Sequence, residues 1–176
     1  MGLESMNNTK SNEAKSNEAK SCTNSMNKAL IETFYTAFKQ KDYKTMGSCY
    51  HSEAYFKDEA FELTGKEIGS MWHMLCERGK DMTMEFTVTE QDGKISAHWE
   101  PKYSFSQNGN FVHNIIDAEF EFRDGKILKH IDRFNFWNWS RQALGLPGLL
   151  LGWTPFLQKK VSKMAMGNLA KFIQKN

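Results

Sequence analysis

Proline is scarce, with three in 176 residues, so long strands and helices can run without interruption. Cysteine is equally scarce. Cys22, Cys49 and Cys76 are an odd number with no CxxC spacing, which disfavours a zinc ribbon and a disulfide framework. Cys49 and Cys76 fall among apolar neighbours in helical patterns and read as buried, inert thiols. No stretch reaches about 18 apolar residues, and the N-terminus has no apolar signal segment, so neither a membrane span nor secretion is indicated. A cytoplasmic, reducing location is the default expectation.

Charge of one sign is also missing, the net value being +2. Residues 1–26 carry three Lys and three Glu, residues 27–157 fifteen basic and eighteen acidic side chains, and residues 158–176 five Lys and no acid. The basic excess is thus a C-terminal feature and not a stripe across the body, so no nucleic-acid partner is expected. What is abundant is aromatic: thirteen Phe, five Tyr and five Trp. Hydrophobic residues at 40% and charged residues at 25% fit one folded domain with some extra chain.

Three segments follow from the patterning. Residues 1–26, with the direct repeat KSNEAKSNEAKS, read as a disordered low-complexity tail that buries too little apolar surface to offset its ordering entropy. Residues 27–142 read as the folded domain. Leu30, Ile31, Phe34, Tyr35 and Phe38 recur at helical spacing, and a short helix over about 43–50 offers Tyr43, Met46 and Tyr50. Ala54–Phe56 is strand-like. Thr64 and Glu67 have capping-box spacing before a helix carrying Ile68, Met71, Trp72 and Leu75, which Gly79 is placed to end in the left-handed region. Alternation then runs over 82–90, 94–106, 111–123 and 126–136, broken by Asp92-Gly93, Asn108-Gly109 and Asp124-Gly125, which predicts an antiparallel meander. On its last strand Leu128, His130, Asp132, Phe134 and Phe136 share one face. Residues 143–176 form an apolar loop and a basic amphipathic helix.

The order helix, helix, short strand, helix, meander resembles the α+β cone of the nuclear transport factor 2-like superfamily. The residues of 28–140 resemble its SnoaL-like branch, related to limonene epoxide hydrolase and ketosteroid isomerase. FYTAFKQKDYKTMGSCYHSEAYFKD resembles the opening helix pair, FELTGKEIGSMW the start of the third helix, and FEFRDGKILKHIDRFNFW the last hairpin. The resemblance implies a cone-shaped curved antiparallel sheet covered by N-terminal helices, with a C-terminal helical extension. It implies a hydrophobic small-molecule pocket, no cofactor, and a homodimer formed through the convex sheet face, near His113, Asp117, Glu119 and Glu121.

Asp132 is the first candidate for chemistry. A carboxylate on an apolar strand face is costly unless it is paired or functional, and burial there suits acid/base work. The resemblance carries a catalytic acid/base role onto it. The alternative is a carboxylate pinned by a neighbouring donor. His98 and Glu100 stand where limonene epoxide hydrolase has an arginine and an aspartate, and they are expected to set the protonation of Asp132. Tyr55 matches the tyrosine that holds water there, while Lys57 replaces an asparagine. Asp58 falls where ketosteroid isomerase keeps its base, but Phe34 and Ala118 stand where that enzyme keeps its oxyanion donors, leaving Tyr35 as a substitute. Trp72, His130 and Phe134 complete the expected ligand-binding residues. His98, Glu100, His130 and Asp132 would suit a metal if they converged, yet no HExxH helix supports one, and no metal is assigned.

Two broader readings remain open: cofactor-free acid/base catalysis of isomerase, cyclase or hydrolase type on an apolar substrate, or a ligand-binding module without catalysis. LGLPGLLLGWTPFL followed by a Lys-faced helix also resembles interfacial membrane segments in composition. The favoured expectation for that segment is that Phe, Leu and Trp fold back to cap the cone mouth.

Overall fold

The computed structural model describes the backbone of residues 3–176 and the side chains from Lys20 onward. The chain runs α1 (Leu3–Lys39), α2 (Tyr43–Ser48), β1 (Tyr50–Lys57), β2 (Glu62–Thr64), α3 (Lys66–Arg78), β3 (Thr83–Gln91), β4 (Lys94–Ser104), β5 (Phe111–His113), β6 (Ile116–Arg123), β7 (Lys126–Phe134), α4 (Phe136–Leu144), α5 (Leu146–Leu151) and α6 (Pro155–Lys175).

The sheet order is β2-β1-β7-β6-β4-β3, with β5 paired to β4. The meander pairs antiparallel throughout, and β1 joins it parallel to β7. Two hairpins close with two-residue loops. Asp92 and Gly93 both take positive φ, as do Asp124 and Gly125, which is the mirror-image turn that matches strand twist. Helix α1 lays Ile31, Phe34, Tyr35 and Phe38 onto the inner face, where they meet Trp72, Met84, Trp99, Phe120 and Ile127 in one core. A smaller cluster joins Val112 to Phe136, Trp139, Leu157 and Val161 of the C-terminal helices.

The segment expected as a tail is helical from Leu3, consistent with its Lys, Glu and Ala, which are good helix formers. Three local expectations are corrected. Gly79 ends α3 at φ −90° and not in the left-handed region, with its N–H bonded to Leu75 O. The stretch 111–123 is two strands rather than one, since Asn114 leaves the ladder to bond Pro101 O. In the last hairpin a bulge shifts the register between Glu121 and Phe122, so Ile127 takes the buried place expected for Leu128. Cys49 and Cys76 are buried as expected. Burial pushes both thiols up, Cys76 to about 11, so both are protonated and unreactive at neutral pH.

Candidate functional site

Strand β7 presents His130 and Asp132 on its inner face two residues apart, 0% and 3% exposed. His130 Nε2 lies 2.9 Å from Asp132 Oδ1, and His130 Nδ1 lies 2.6 Å from the Tyr50 hydroxyl. Tyr50 in turn accepts from Trp72 Nε1 at 3.1 Å, and Trp99 Nε1 donates to Asp132 Oδ1 at 3.3 Å. An ionised Asp132 can only accept, so a neutral His130 would carry its proton on Nε2, aimed at Asp132, and its Nδ1 would take the Tyr50 hydrogen. The imidazole is walled by Phe34, Phe56, Phe120 and Trp72, which fixes its plane.

Asp132 Oδ2 takes no hydrogen bond from any described residue, and Asp132 lines a largely apolar cavity of about 220 Å³. Phe38, Phe56, Trp72, Trp99, Ile116 and Phe134 supply much of the wall, while Asp58, Tyr103 and Asn114 are its other inner polar groups. Helix α6 closes the mouth with Val161, Met164, Ala165 and Asn168. A second, more polar opening of about 430 Å³ shares Asp58 and Asp132 and is lined by Lys57, Arg133 and Lys159. The carboxylates therefore sit where an apolar chamber and a water-facing one meet.

Asp58 sits in the loop after β1, where its Oδ1 accepts from the N–H groups of Ala60 and Phe61, each at 2.6 Å. Burial pushes its carboxyl up to about 7 despite those donors, and repulsion from Asp132 adds to the rise. The folded state then holds a proton that the unfolded chain, near 3.9, releases. Between about pH 4 and 7 the native state binds more protons, so this group's contribution to stability falls as pH rises. Asp58→Asn keeps the Oδ1 acceptor and removes the charge. Its melting temperature relative to the wild type is expected to be several degrees higher at pH 8 than at pH 5; a pH-independent difference in thermal melts contradicts this.

The remaining expected residues separate. Trp72, Phe134 and Asp58 line the cavity, and His130 stands directly behind Asp132. Tyr35 is buried against Phe86 and Trp99 outside the lining, its hydroxyl without a partner among the described residues. Burial raises its phenol well above the ordinary value, so it stays neutral. Tyr55 points outward and bonds Glu62 at 2.8 Å. The expectation that His98 and Glu100 set the protonation of Asp132 is corrected. Trp99 faces inward, so His98 and Glu100 face out, where they form a network with Asp117 and His113. Hydrogen bonding to Asp117 pushes the His98 imidazole up, and hydrogen bonding to His113 holds Glu100 down. The four groups weighed for a metal are thereby split between two faces, and among the described residues no cluster of three or more suitable ligands forms. Sequence reasoning missed Tyr50, Tyr103 and Asn114, and left Trp99 out of the expected site residues. Trp99, Tyr103 and Asn114 were signalled by alternation, which already put them on the apolar side of their strands.

The chain matches the SnoaL-like domain over residues 31–130. It belongs to that family. No curated protein matches it. Its fold is shared with a putative polyketide cyclase from Xanthomonas campestris pv. campestris, at TM-score 0.61 and 18% identity over 69% of this chain and 98% of that one. An LEH-like epoxide hydrolase of M. tuberculosis aligns at TM-score 0.55 and 17% identity, covering 72% and 96%. A Catenulispora acidiphila protein with a ketosteroid isomerase-like fold, solved with trimethylamine, aligns at 0.58 and 14%, covering 72% and 97%. At such identities the likeness is one of fold, and the SnoaL-like chain's chemistry must be argued from its own cavity. No helix among its described residues is long and apolar enough to cross a membrane.

Proposed function

We propose that this SnoaL-like protein binds an apolar small molecule and moves protons on it without a cofactor, with Asp132 as base and Asp58 as its acid partner. The observation that carries the reading is the His130–Asp132 pair: one carboxylate oxygen lies within hydrogen-bond distance of two ring nitrogens, the other takes no hydrogen bond from any described residue, and Asp132 lines the cavity. A carboxylate so fixed cannot rotate away, which is the positioning a general base needs. Asp58, near half-protonated at neutral pH, can deliver a proton to a carbonyl or epoxide oxygen. Two carboxyl groups in unlike surroundings divide acid and base roles between them. This fits isomerase, cyclase or hydrolase chemistry.

The second reading, a hydrophobic-ligand carrier, rests on the apolar wall and on an inner chamber in which Arg78 is the only cation among the described lining residues. In the proposed homodimer the outer sheet face with His98, Glu100, His113 and Asp117 is the contact surface. Deuterium uptake from solvent by enolisable cyclic ketones, with epoxide opening run beside it, separates catalysis from carriage. The wild type is expected to catalyse one of them and Asp132→Asn neither. Wild-type rates equal to buffer on both, with ligand still bound, favour the carrier.

A further inference from the structure

The segment expected to cap the cavity is divided by the structure. Helix α6 does line the mouth, but the apolar side chains before it face solvent: Leu146, Leu150, Trp153 and Phe156 are 72%, 66%, 74% and 68% exposed. Leu149 and Leu151 are exposed beside them. The cause is the small face of α5. A side chain at Gly148 would meet Ser140 O at 1.9 Å, and one at Gly152 would meet Ser140 Oγ at 2.0 Å. Only glycine lets α5 seat on α4, and the leucines are left on the opposite side.

The backbone of this hairpin is prepared for a medium without water. The last carbonyls of a helix ordinarily turn to solvent. Here Gly148 O accepts from Gly152 N and Ser140 Oγ, and Leu149 O from Trp137 Nε1 at 3.1 Å. Leu150 O accepts from Trp153 Nε1 at 3.1 Å, and Leu151 O from both the backbone N–H and the hydroxyl of Thr154. Four carbonyls and two indole N–H groups are thus paired within the exposed patch. Such internal pairing is what an element entering hydrocarbon requires.

Charge selects the occupant. Residues 133–176 contain Arg133, Arg141 and five Lys, and no acid. Arg141 lies over the Trp137 ring at 5.7 Å, and Lys159 and Lys160 are exposed one turn beyond Phe156. Glu59 reaches α6 only to bond Gln158. We propose that α5, with Trp153 and Phe156, inserts at the headgroup–acyl boundary of an anionic lipid surface, with Arg141, Lys159 and Lys160 on the headgroups. Apolar area and cations act together in such binding.

Co-sedimentation of the full chain with phosphatidylcholine vesicles carrying about one-third phosphatidylglycerol tests this. Binding is expected there and is expected to weaken at least tenfold on pure phosphatidylcholine, in about 0.5 M salt, or in the Leu150→Ser/Trp153→Ser double variant. Quenching of wild-type tryptophan fluorescence by brominated acyl chains is expected and needs no variant. The inference is overturned if the wild type neither sediments nor is quenched, or if the double variant binds equally well. It is also overturned if sedimentation velocity shows a wild-type dimer that the double variant splits, since the patch would then join two copies.

Discussion

Asp132→Asn is expected to lower turnover by about 10²–10⁴-fold with ligand affinity nearly unchanged. Asparagine is close in shape and keeps an oxygen for Trp99 Nε1 and His130 Nε2, so the wall of the cavity survives. What changes is the atom facing the ligand. An amide nitrogen cannot take a proton, so the loss falls on kcat and not on KM. A carboxylate present only to pin His130 predicts the reverse: turnover retained, with stability altered by about 1 kcal/mol for one changed hydrogen bond. Kinetics and thermal melts on the same preparation separate the two.

Trp72→Ala is expected to cost about 4 kcal/mol of stability, the range for removing a large buried aromatic. Its ring is 1% exposed and packs edge-on against Phe34, Phe38 and Phe56 while lying nearly parallel to His130. The variant opens a cavity and also strips the donor from Tyr50. The tyrosine hydrogen is then free to turn from His130, so the variant should lose activity even where it remains folded. A fall in melting temperature of roughly 10 °C is expected for a chain of this size. Trp72→Phe restores most packing but not the N–H, so it should recover stability while leaving turnover impaired. A Phe variant as active as the wild type would show that the indole donor does not matter.

How legible the site was depends on the distance over which its parts are joined. The pair His130 and Asp132 lies within one strand, and an acid on an apolar face is visible in local alternation. The Asp-Gly turns and the meander were legible for the same reason. Tyr50 lies 80 residues from His130 and joins it through the parallel pairing of β1 with β7, which no local period encodes. His98 and Glu100 show the opposite error. Alternation placed them opposite Trp99, on the polar side, and the resemblance to epoxide hydrolases drew them inward against that pattern. The exposure of the α5 leucines was hidden because an apolar run does not say which side its glycines will bury.

On the proposed reading, His130 holds Asp132 by one oxygen and leaves the other to the ligand. Long-range ¹H–¹⁵N NMR of the His130 ring tests it most directly. A proton on Nε2 and an acceptor-type Nδ1, both perturbed when an apolar ligand fills the cavity, is the result this account requires. A ring protonated on Nδ1, or one whose signals ignore ligand and the Asp132→Asn change alike, would contradict it.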